Sequence, residues 1–193
     1  MKSHRSVKLT VLAIILLLAA AAAVPWRTLA ASAKVAPVPG GPKFLMVDAT
    51  QFRAWRPETV AYLTDGGLIN PGSEGNFYQA GLSLPDNIKI TKVVVYFFDN
   101  SELDDQDDLV VALWRYDPAT GDHVEMATVA SSGAQDQYRN AADTSIIEPM
   151  VNQQSYSYYL EVGMPPRGDT LRVAAVRIDY RYRAAQQSSE DNP

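Results

Sequence analysis

The segment SYSYYLEVGM, Ser155 to Met164, places Tyr156, Tyr158, Leu160, Val162 and Met164 on one side of an extended chain, with Ser155, Ser157 and Glu161 on the other. A period of two over ten residues fits no helix and predicts a half-buried strand. The later part of LRVAAVRIDYRYR repeats the pattern: Val176, Ile178, Tyr180 and Tyr182 share a face, and Arg177, Asp179 and Arg181 oppose them. By contrast KVVVYFF, from Lys92, is apolar on both sides, which predicts a strand inside a sheet or one covered on its outer face.

Working outward, the same reading predicts strands at Phe44 to Val47, Thr59 to Leu63, Asn76 to Leu84, Lys89 to Phe98, Leu109 to Tyr116, His123 to Ala130, Ser155 to Gly163 and Thr170 to Tyr182. LPDN at Leu84, DPATGD at Asp117 and PPRGD at Pro165 put turn-forming residues between them. About eight short strands at this spacing predict an all-β, two-sheet antiparallel β-sandwich, jelly-roll or immunoglobulin-like, with the topology left open. The run FYQAGLSLPDNIKITKVVVYFFDNS, Phe77 to Ser101, followed by DLVVALWRYD, SYSYYLEV and RVAAVRIDYRY, resembles the core of uncharacterised secreted bacterial β-sandwich domains, jelly-roll-like and of unknown function. The resemblance spans most of the chain after residue 33. It implies a fold and a location outside the cytoplasm, and no catalytic motif comes with it.

The N-terminus supports export. MKSHRSVK precedes the apolar run LTVLAIILLLAAAAAV and the small-residue stretch TLAASAK, the layout of a signal peptide over residues 1–33, cleaved after Ala30 or Ala33. The apolar run is shorter than the roughly 20 residues of a spanning helix. An uncleaved anchor over residues 9–24 is the alternative, and membrane association is expected only in that case. Residues 34–43 read as a Pro/Gly-rich linker, 44–183 as the sandwich, and 184–193 as a tail without periodic apolar residues.

Four of the seventeen basic residues lie in 1–33, which leaves thirteen against twenty-two acidic ones, a balance of about −9. With no Lys/Arg cluster, that balance argues against nucleic acid as a partner. There is no cysteine, so packing alone must hold an exported domain together. With His123 the sole histidine after residue 33, zinc sites of the usual ligand types and a Ser-His-Asp device both lack material. His123 itself reads as an exposed turn residue. Ser131 and Ser132 lack a nucleophile-elbow context, and no spacing selects a carboxylate pair, so no catalytic residue is assigned and the protein is expected not to be an enzyme.

Two clusters remain as candidate sites. Asp99, Glu102, Asp104, Asp105, Asp107 and Asp108 gather the hard oxygen ligands that calcium prefers in one connection between strands, although the spacing is not that of an EF-hand. A charged hairpin tip that blunts sheet edges is the plainer reading of the same residues. Trp55, flanked by Arg53 and Arg56 outside any clear strand, is the candidate ligand-binding aromatic, with a core-covering role as its alternative. Trp114, Tyr156, Tyr158 and Tyr180 are expected to be buried. The tripeptide Arg167-Gly168-Asp169 is explained by its turn. These readings lead to a secreted interaction or structural module with a protein or glycan partner, self-associating through the face that Tyr182 extends, or to a carbohydrate-binding module assisted by calcium.

Overall fold

The computed structural model describes residues 43–56, 61–101 and 108–183. The predicted signal peptide, linker and tail lie outside those residues, apart from Lys43, and so does most of the acidic connection. Among the described residues there are eleven strands and one 3₁₀ turn. They are β1 (Lys43–Asp48), β2 (Arg53–Ala54), β3 (Ala61–Tyr62), β4 (Leu68–Asn70), β5 (Asn76–Leu82), β6 (Ile88–Asp99), β7 (Val110–Tyr116), β8 (His123–Ala130), β9 (Gln135–Asp143), β10 (Ser157–Met164) and β11 (Gly168–Tyr182). No helix among them is long and apolar enough to cross a membrane.

The strands form two antiparallel sheets. One runs β3-β4-β11-β6-β9, with β1 also pairing β11; the other runs β2-β5-β10-β7-β8. Apart from the β7–β8 hairpin, every connection from β4 to β11 crosses between sheets. With β1, β2 and β3 left aside, the sheets read 4-11-6-9 and 5-10-7-8, which is jelly-roll order. The predicted all-β sandwich is thus the observed class.

The core lies between the sheets and follows the alternation. Tyr158, Leu160, Val162 and Met164 of β10 and Val173, Val176 and Ile178 of β11 are all buried. The doubly apolar β6 sits between β11 and β9, so Val93, Val95 and Phe97 face the core while Val94 is covered on the outer side.

Three strands escaped the pattern. β9, QDQYRNAAD, has Tyr138, Ala141 and Ala142 as its apolar residues and no aliphatic alternation, because an edge strand needs little burial of its own. It is held by pairing to β6, by Tyr138 against Phe98 at 5.6 Å, and by Arg139, whose guanidinium donates to the carbonyls of Asp99, Ser132 and Gly133. β2 and β4 are two and three residues long, too short for any period to show.

Strand β8 breaks alternation. A bulge between the pairs Leu113–Ala127 and Trp114–Glu125 leaves Met126 unpaired, so Met126, Ala127 and Val129 all turn inward. His123, Glu125 and Thr128 consequently share the outer face. DPATGD closes this hairpin: Asp117 Oδ1 accepts from the Ala119 amide at 2.8 Å, and Gly121, at φ +82°, donates to the Asp117 carbonyl.

Candidate functional site

The outer face of the five-stranded sheet carries a cluster of half-buried aromatic rings on β10 and β7. Tyr159 on β10 pairs with Trp114 on β7, and their rings lie 6.3 Å apart and 12° from parallel. Beyond Trp114, Tyr116 pairs with His123, whose ring is 4.7 Å from the tyrosine's. His123 Nδ1 lies 3.0 Å from the Tyr159 hydroxyl, which ties the histidine back to the stack. Burial, and then the charge of Glu161, raise the Tyr159 pKa above that of a free tyrosine.

At the other end of the same face, Phe77 on β5 stands 6.4 Å from Trp55. Trp55 follows β2 and donates its backbone N–H to the Phe77 carbonyl at 2.9 Å, which sets both rings outward. The supporting loop is fixed by the buried Asn70, whose amide donates to the Glu74 and Met164 carbonyls while its Oδ1 accepts from Gly72. Trp55, Arg56, Gly75, Asn76 and Phe77 line a cleft of about 370 Å³.

The two aromatic groups are separated by four residues along β10 and by one strand, roughly 14 Å at standard spacings. Ala112 lies within the interval, Gly163 is covered by the ring of its partner Phe77, 3.3 Å from where a Cβ would stand, and Gly81, paired with Tyr159, faces open space. Midway, Glu161 Oε2 accepts from Gln79 Nε2 at 2.8 Å, and Arg53 pairs beside Gln79. Glu125 and Thr128 are hydrogen-bonded at the β8 margin. The result is a shallow, mostly polar floor of Ala112, Glu161 and Gln79 between two aromatic walls.

The candidate aromatic Trp55 is exposed, and Arg53 lies on the same face. Arg56 is ion-paired to Glu74 at 2.7 Å. Trp114 is a correction to the expected burial: it is half-buried on the outer face, because the core-facing alternate positions of β7 are Val111 and Leu113. His123 likewise opens β8 and joins the ring cluster, where a turn residue was expected. Tyr158 is buried as expected, whereas Tyr156 and Tyr180 are half-buried. The missed signal was Tyr159, a large ring on a face otherwise read as Ser155, Ser157 and Glu161.

Of the acidic cluster, Glu102, Asp104, Asp105 and Asp107 lie outside the described residues. Asp99 is buried and accepts from the Ser101 amide, and Asp108 accepts from the Ser131 hydroxyl, each at 3.1 Å. Among the described residues no group of three or more metal-type ligands occurs. Tyr182 packs edge-on to Tyr180 and lines a cleft of about 440 Å³ with Lys89, Met150, Arg181 and Arg183.

Comparison with solved structures places the fold. No family model and no curated protein sequence matches the chain. A xylan-binding module, CBM15, superposes with a TM-score of 0.51 at 13% identity, covering 75% of this chain and 100% of that one. The CBM36-1 domain of a multidomain xylanase from the hindgut metagenome of Trinervitermes trinervoides gives 0.46 at 8% identity, over 70% and 96%. The C-terminal CBM6 of LamC, from Zobellia galactanivorans, gives 0.45 at 10% identity, over 70% and 98%. At these identities the xylan-binding module establishes a shared sandwich fold.

Proposed function

We propose that the protein is an exported, non-catalytic carbohydrate-binding module that holds a polysaccharide chain across the outer face of its five-stranded sheet. The observation that carries this is the placement of Trp114–Tyr159 and Trp55–Phe77 on one face, across an interval of Ala112, Glu161 and Gln79 with open space over Gly81 beside Tyr159. A pyranose ring presents apolar C–H faces and a rim of hydroxyls. It therefore matches a surface whose rings stack and whose edges offer an amide and carboxylates. The interval of roughly 14 Å suits an extended chain better than a single sugar. The shared fold of the xylan-binding module CBM15 supports the reading.

The test is native electrophoresis through gels containing single polysaccharides, run with the parent protein and with Tyr159→Ala. Retardation by at least one polysaccharide, lost in Tyr159→Ala with the melting transition retained, is the expected result. Unchanged mobility across neutral, basic and acidic polysaccharides refutes the proposal.

A further inference from the structure

Two carboxylates flank the stacked Trp114–Tyr159 pair. Glu125 on β8 is the cross-strand partner of Trp114, and Glu161 lies two residues from Tyr159 on the same face of β10. Each is held by a neutral donor, Glu161 by Gln79 and Glu125 by the Thr128 hydroxyl, and neither forms an ion pair among the described residues. Arg53 stands beyond Gln79 at the far margin of the face, so no lysine or arginine lies between the two carboxylates there, and His123, hydrogen-bonded to Tyr159, is the titratable nitrogen beside them.

A sugar ring stacked on Trp114 and Tyr159 thus lies between two solvent-accessible negative charges that are already oriented. We propose that this half of the face selects glycans bearing free amino groups: a ring-bound ammonium gains charge-assisted hydrogen bonds to Glu161 and Glu125, while a uronate or sulfate is repelled. Discrimination of this kind arises from what the face excludes as much as from what it binds. The inference rests on the glycan reading above and adds the class of glycan.

The experiment is calorimetric titration of the purified protein with three soluble oligosaccharides of equal length, made of glucosamine, N-acetylglucosamine or a uronic acid. It is run at low salt and at a pH that keeps the amines protonated. Because the whole chain is acidic, Asp136→Asn on β9 of the other sheet controls for non-specific attraction. The glucosamine oligomer is expected to bind most tightly. Glu161→Gln and Glu125→Gln should each weaken it by about fivefold, as expected for an exposed charge pair, and Asp136→Asn should leave it unchanged.

Equal binding of the glucosamine and N-acetylglucosamine oligomers, stronger binding of the uronate, or an equal loss in Asp136→Asn overturns charge selection. If binding is then lost in Tyr159→Ala, the glycan reading survives without it. If none of the three oligosaccharides binds, charge selection falls, and the glycan reading is then decided by the gel electrophoresis above: retardation by a neutral polysaccharide keeps it, and no retardation by any polysaccharide removes it.

Discussion

Trp55 separates binding from folding better than any other ring on the face, because it is 72% exposed while its backbone is locked to Phe77. A tryptophan side chain offers up to about 250 Å² of surface, so roughly 70 Å² of this one is covered and roughly 180 Å² is open. A sugar laid on one ring face would cover about half of the open part. At about 25 cal/mol per Å², that is on the order of 2 kcal/mol, or roughly thirtyfold in Kd. The covered part bounds the folding loss at somewhat under 2 kcal/mol, which corresponds to a few degrees in Tm. Trp55→Ala should therefore weaken oligosaccharide binding by about thirtyfold in calorimetry, while circular dichroism shows a folded protein melting slightly early. Affinity within about twofold of the parent would show that the ligand never reaches this end of the face. A fall in Tm far beyond a few degrees would show that the ring supports the fold.

The floor, the tyrosines and the β8 bulge give further tests. Gly81 has an ordinary strand conformation and open space where a Cβ would stand. Gly81→Val should thus keep or raise Tm while it blocks the floor beside Tyr159, and affinity unchanged in titration would show that the ligand does not cross there. Burial raises the pKa values of Tyr62, Tyr158, Tyr159 and Tyr180 above those of free tyrosines. Each folded-state pKa lies above the unfolded value near 10, so their stabilisation is complete below about pH 10 and is lost as pH rises through the folded values. Melting followed from pH 8 upward should decline only on the alkaline side of 10, in step with delayed tyrosinate absorbance; a flat Tm would contradict the coupling. Deleting Met126 removes the bulge and one fully buried side chain, so stability should fall by about 2–5 kcal/mol in denaturant melts. Because His123, Glu125 and Thr128 still face outward in a strictly alternating β8, binding by the folded fraction should persist, and its loss would assign the bulge a role in the site.

How much was legible in the sequence depended on what each strand buries. β10 and β11 have one apolar and one polar side, so their period shows without any knowledge of partners, and β6 betrays its central place by being apolar on both. β9 is stabilised by the strand it joins and by the reach of Arg139 to the Asp99, Ser132 and Gly133 carbonyls, none of which leaves a periodic mark. The site suffered from the same ambiguity. In β7, Val111 and Leu113 alternate with Ala112 and Trp114, and two apolar alternations in one strand give no sign of which faces out. Only its pairing with β10 settles it, because Tyr159 opposite Trp114 shares a side with Ser157 and Glu161.

That ambiguity has a physical counterpart. A face that stacks on sugar rings must be apolar where rings lie and polar at its edges, and a one-dimensional pattern cannot tell such a face from core. What distinguishes them here is the company each ring keeps. Tyr78 and Tyr158, pointing inward, find hydroxyl partners at the Ile69 carbonyl and the Asn152 amide and leave almost no surface open. Trp114, Tyr159 and His123 instead pack on one another across three strands, with a hydrogen bond between His123 and Tyr159 and none from the Trp114 indole N–H. Large rings beside small residues leave ring faces open to solvent that a core would have filled, since interiors are packed to the density of organic crystals. The space over Gly81 is open beside a large ring because Gly81 pairs with Tyr159, a juxtaposition that neither residue alone reveals.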